Sequence, residues 1–192
     1  MLAGSHRNAW PDETGTGGRT NRNTQLGYNA PLMEHDIPTS FAKTDASVIS
    51  RFFSSLDAKI IADINARKRA GSRVHSCTLR YVWVKEQNHD HKVHYHIFIL
   101  LNKDTYAFLG QYTGIDNLAY MIISAWSSAL GVHIDLVREL VHFPENPCYY
   151  LDINKPDFYL ILDRFIYRIS YMAKIKSKNI NQHYRSFGCS NR

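Results

Sequence analysis

Two histidines one residue apart, His94 and His96 in the run VHYHIFILL, are the sharpest chemical feature of the chain. Alternate residues of a β-strand project to one face, so the two imidazoles would stand side by side and offer a metal a pair of nitrogen ligands. Composition tempers that signal, because ten histidines in 192 residues produce about half of one such pair by chance. A second pair, His89 and His91, falls in the polar, turn-prone stretch 85–92 and reads more simply as solvated turn histidines. A metal needs a third anchor. Glu86 ends the preceding strand, across the hairpin from the pair, where its carboxylate can reach the same face. A solvated hairpin charge is the competing reading of Glu86, and Gln87 is a rival third ligand. Two nitrogens and one oxygen with open coordination positions suit Mg2+ or Mn2+ at a phosphate better than a structural Zn2+.

A second constellation lies in YRISYMAK, where Tyr167, Tyr171 and Lys174 follow at spacings of four and three. On a helix all three share one stripe. Two core tyrosines with a surface lysine are the competing reading. Beside a metal site the stripe acquires chemistry. A phenol is a poor nucleophile near neutral pH unless a metal polarises the phosphodiester and a cation favours the phenolate or the transition-state charge. The histidine pair and Lys174 would fill those two roles.

These residues must be positioned by a small domain. The 22.2 kDa chain is 44% hydrophobic and 21% charged, a globular composition with room for one core. Its longest apolar run, residues 118–123, falls far short of the roughly 20 residues that cross a bilayer, and the N-terminus lacks a signal peptide's apolar region. Cys77, Cys148 and Cys189 are scattered and odd in number, which points to reduced thiols and a cytoplasmic location.

Residues 1–43, with the stretch GTGGRTNRNTQ, read as a flexible tail or extended arm, and residues 44–192 as the folded domain. The arm's four cations balance its four acids, so the folded part carries the whole net charge of +6. That excess favours a polyanionic partner.

From Asp45, a plausible cap, the spacing of Val48, Ile49, Phe52, Phe53, Leu56, Ile60, Ile61 and Ile64 predicts a long amphipathic helix ending at Gly71. Residues 74–84 and 93–101 read as adjacent antiparallel strands. Asp116 can cap a helix over 117–130, segments 132–141 and 148–153 look strand-like, and a final helix is expected over 157 to about 176. This mixed order predicts an α+β fold with a central antiparallel sheet flanked by helices.

With both constellations in hand, the sequence resembles the HUH endonucleases, the rolling-circle replication initiators and relaxases marked by His-hydrophobic-His on a strand and Tyr-x-x-Lys on a helix. More closely, VHYHIFILLNKDTYAFLG, the YRISYMAK helix and the terminal RSFGCS resemble the inovirus gene-two-type initiators, found in prophages as YagK/YfjJ-like proteins. The likeness covers residues 44 to 190. It implies a divalent ion held by His94, His96 and Glu86, and attack of Tyr171 on a DNA phosphodiester to leave a 5′-phosphotyrosine and a free 3′-OH. Under the same resemblance Tyr167 is either a second nucleophile or a packing neighbour.

The implied partners are single-stranded DNA or an origin hairpin, and a host helicase and polymerase, since no G-x-x-x-x-G-K-[ST] phosphate loop is present. Lys43, Arg51, Lys59, Arg67, Lys68, Arg69, Lys174, Lys176, Lys178, Arg185 and Arg192 are candidates for neutralising phosphates. A non-catalytic DNA-binding protein with a structural metal is the rival reading.

Overall fold

A computed structural model of the protein describes residues 45–87, 93–170, 172 and 185–191, together with the backbone of 25–32. The fold is α+β, as its element order predicts. Helix α1, Val48–Arg69, buries Val48, Ile49, Phe52, Phe53, Leu56, Ile60 and Ile64, while Ile61 remains half exposed. The N-cap position is Ser47, two residues after the expected Asp45. Asp45 still serves the helix end, because its carboxylate accepts from the Ser47 amide at 2.8 Å and from Arg51 at 2.9 Å. Gly71, in the left-handed conformation at φ 78°, ends the helix.

Strands β2, Arg80–Gln87, and β3, Val93–Asn102, form the expected antiparallel hairpin. Residues 74–79 do not join the ladder. They follow the end of β3 through side-chain bonds instead, from Asn102 Nδ2 to the Ser76 carbonyl and from Thr105 Oγ1 to the His75 carbonyl, both at 3.1 Å.

Strand β1, Gln25–Leu32, pairs with β3 along its whole length, and strand β4, Cys148–Tyr150, pairs with β1 in turn. Strand β5, Phe187–Cys189, pairs with β2. The antiparallel order is β4-β1-β3-β2-β5. Eight residues assigned from sequence to the arm therefore lie inside the sheet, and a boundary at 43/44 would cut β1 from both of its partners, β3 and β4. Their Gly, Asn and Pro content masks the strand, and pairing with a neighbour more than sixty residues away supplies what local propensity lacks.

Helix α2, Leu118–Leu130, is capped by Asn117, whose Oδ1 accepts from the Tyr120 amide at 2.9 Å, and not by Asp116. The strand expected over 132–141 is instead a short helix, α3, Ile134–Arg138, and the turn after it. The apolar alternation of Val132, Ile134 and Leu136 suggests a strand, but the buried set is Val137, Leu140 and Val141, which has helical spacing, and Leu136 is exposed. Helix α4, Phe158–Ser170, is the described part of the final helix.

The sheet separates two apolar clusters. Tyr95, Ile97, Ile99 and Leu101 of β3 pack with α1 and α2 in the main core, whereas Val84 and Phe98 pack with Phe165 and Met172 on the other face. Period-two alternation thus sends His94 and His96 to the α4 side. Among the described residues no helix is long and apolar enough to cross a membrane.

Candidate metal centre

The hairpin register builds the site. Glu86 pairs with His94, and Val84 with His96, so one carboxylate and two imidazoles converge on one face at the loop end of β2 and β3. Glu86 Oε2 lies 3.5 Å from His94 Nε2 and 3.2 Å from His96 Nε2. The two rings are 5.1 Å apart and nearly perpendicular. One donor atom from each residue can be chosen so that all lie within 4.8 Å of one another.

Burial makes this cluster chemically expectant. Glu86 is only 4% exposed, and its Oε1 has no hydrogen-bond partner among the described residues. A buried carboxylate with an orphaned oxygen is costly unless a cation compensates it. Two imidazole nitrogens aimed at one carboxylate oxygen compensate only as donors, whereas a divalent ion takes both nitrogen lone pairs and the carboxylate charge together. The donor set therefore fits such an ion, with three protein ligands and open positions.

Tyr95, between the two histidines, belongs to the other face. It is buried against Trp83 and Trp126, and burial pushes its phenol up to about 12, so it is a neutral core residue.

Helix α4 lies on the site's face. Phe165 packs edge-on against Phe98, two residues beyond His96, with ring centroids 5.6 Å apart. Arg168 fastens the helix further, donating to the Asn146 carbonyl and the Tyr149 hydroxyl, each at 3.0 Å, with its guanidinium over the Tyr149 ring. Arg168 lies inside the tyrosine motif, and its partners, Asn146 and Tyr149, are about twenty residues away, so nothing local in the sequence reveals them.

Of the residues expected to act, the structure brings together Glu86, His94 and His96. Tyr167 does not join them. It is 83% exposed and lies about 200° around the helix from Phe165, on the side away from the sheet. Tyr171, Lys174, His89 and His91 lie outside the described residues, as does the side chain of Gln87.

Two of the expected phosphate-binding cations have structural duties. Arg51 bonds Asp45 and the Ala129 carbonyl, holding the Asp45 carboxyl well below the usual carboxylate range. Arg67 bonds Asp63 and the Thr105 carbonyl. Lys68, Arg69 and Arg185 are exposed, and Lys59 is partly so. Lys43, Lys176, Lys178 and Arg192 lie outside the described residues.

An antiparallel sheet with helices on both faces and a carboxylate–bis-imidazole cluster on paired strands defines an α+β domain with a candidate metal centre. The chain belongs to the YagK/YfjJ C-terminal domain family, whose match spans residues 31–190. It is 43% identical over 165 residues to the uncharacterized protein YagK of Escherichia coli (strain K12), covering 86% of this chain and 79% of that one. It is 37% identical over 158 residues to the uncharacterized protein YfjJ of the same strain, covering 81% and 76%. No solved structure matches the chain.

Proposed function

We propose that the protein is an HUH-type tyrosine endonuclease that nicks DNA at an origin and initiates rolling-circle replication of a phage, prophage or related element. The observation that carries this reading is the convergence of Glu86, His94 and His96 on adjacent strands, with one carboxylate oxygen left unsatisfied. A divalent ion there, Mg2+ or Mn2+, would polarise a phosphodiester and neutralise charge developing on it. In this reading Tyr171 attacks the phosphorus. A tyrosyl O–P bond forms as the P–O3′ bond breaks, the 3′ oxygen leaves with the electron pair and is protonated, and the 5′ phosphate stays on the enzyme. Lys174 favours the phenolate.

The phosphotyrosine retains the phosphodiester bond energy, so a 3′-OH can later attack it and rejoin the strand without ATP. Strand unwinding and synthesis then fall to a host helicase and polymerase. Tyr171 is assigned as the first nucleophile because it matches the tyrosine of the Tyr-x-x-Lys motif.

The test is incubation with single-stranded DNA of the protein's own element and Mn2+, followed by denaturing gel electrophoresis and mass spectrometry. The expected product is a DNA-linked Tyr171 peptide, absent after chelation and in His96→Ala. Tight binding to a verified origin without any adduct would establish the rival, a non-catalytic DNA-binding protein with a structural ion.

A further inference from the structure

The last strand brings two residues beside the metal centre. Phe187 pairs with Val84, whose other neighbour is His96, so the three form one row across the sheet. One step on, the Lys85 amide donates to the Ser186 carbonyl at 2.7 Å, which draws Arg185 level with Glu86 and His94 in the next row. The Phe187 ring is 68% exposed although its strand is paired. Arg185 is exposed and makes no ion pair among the described residues, Glu86 included.

An apolar groove runs from these rows. Among the described residues, Val84 and Phe98 of the sheet, Phe165 and Ile169 of α4, and Phe187 help to line a space of about 450 Å3, and no side chain around it carries an N–H, an O–H or a carbonyl. Val84 and Phe98 stand two residues along their strands from Glu86 and His96, about 7 Å, so the groove opens at the metal centre. The other exposed rings lie elsewhere. Tyr159 and Tyr167 stand on α4 outside the groove, and Phe108, Tyr112 and Tyr150 line a separate cavity around β4, at the opposite edge of the sheet from β5.

We infer, on the proposed DNA-nicking reading, that this groove holds an unpaired nucleobase of the strand whose phosphate lies at the metal centre, with Phe187 stacked on the base and Arg185 on a neighbouring phosphate. A nucleotide joins an anionic group to a flat ring, and the site offers a cationic end and an aromatic floor in the same order. Neighbouring strands are about 5 Å apart, so Phe187 lies two strands and roughly 10 Å from His96, the span of one nucleotide from phosphate to base. A groove without polar side chains meets the face of a base and not its edges, so the contact tolerates any base. A base drawn into it has left its stack and its partner, so the groove selects unpaired strand over duplex.

The contact is read by binding alone, without nicking. The full chain, in EDTA, is titrated by fluorescence anisotropy against an oligothymidine and an abasic strand of equal length over a range of NaCl. Phe187→Ala should weaken oligothymidine binding about 5- to 150-fold, as the loss of one base–aromatic stack does, and leave the abasic strand unchanged. Phe187→Trp should keep the preference for oligothymidine, whereas Phe187→Leu, apolar but without a ring, should lose it. Arg185→Ala should weaken both probes and lower the slope of log K against log salt by about 0.7. Wild type that binds the two probes equally, a Phe187→Ala chain that binds oligothymidine at full strength or loses equally on both probes, or full binding in Phe187→Leu overturns the base contact, and an unchanged salt slope in Arg185→Ala overturns the phosphate contact. Failure of the tyrosine-adduct assay, by contrast, removes the nicking reading and leaves this binding result standing, while an adduct with Phe187→Ala binding unchanged removes the groove contact alone.

Discussion

Replacing Glu86 by Gln keeps the shape of a buried side chain and removes the charge that two imidazoles face at 3.2 and 3.5 Å. If the trio is a metal centre, the variant loses an anionic ligand from a set of three. Loss of a partner in the outer shell of a metal site already costs about 10–100-fold in affinity, so loss of a ligand should cost about 100-fold or more. Wild-type protein at a Mn2+ concentration one hundred times its Kd gains about 2.7 kcal/mol from the ion. For a chain of this size that corresponds to a rise in thermal midpoint of about 5–11 °C.

At the same Mn2+ concentration the Glu86→Gln protein, with its Kd raised 100-fold, gains only about 0.4 kcal/mol, a rise of about 1–2 °C. Without metal the two proteins should differ much less, because substitution also relieves the desolvation of a carboxylate whose Oε1 is unsatisfied. Thermal denaturation with and without Mn2+, alongside isothermal titration, measures both quantities. A variant that keeps the full metal-induced rise refutes Glu86 as a ligand. A wild type that shows none refutes the site.

Three further outcomes are expected. Tyr171→Phe should abolish covalent capture of DNA while Tyr167→Phe retains it, as mass spectrometry of the adduct would show; loss in Tyr167→Phe alone would reverse the assignment. Burial pushes the Cys148 thiol up to about 11, so at pH 8 iodoacetamide should modify exposed Cys189 well before Cys148, whose rate should climb about tenfold per pH unit toward 11. Equal labelling at pH 8 would contradict its burial. A Cβ at Gly188 would stand 2.7 Å from Trp83 Nε1, so Gly188→Ala should lower stability by about 1–3 kcal/mol in denaturant titration, and an unchanged midpoint would mean that the ring moves freely.

Much of the site was legible because its determinants are local. Two strands around a short polar loop place Glu86 opposite His94, and strand alternation then sets His96 on the same side. Helix α1 was equally legible, since seven of its eight patterned apolar residues are buried. Where the reading failed, long-range contacts had overridden local pattern. An arm with weak strand propensity became an interior strand, and apparent alternation at 132–136 gave way to a helix that buries Val137.

The sequence by itself determined the α+β class, the β2–β3 hairpin and the three candidate ligands, because period-two and period-3.6 patterns act over neighbouring residues. Only the tertiary structure decided that β1 lies beside β3, that Arg51 and Arg67 serve packing, and that Tyr167 faces away from the histidines. Each of those depends on which elements meet across the sheet, and that choice is made by burial summed over the whole chain, a quantity no short window of residues contains.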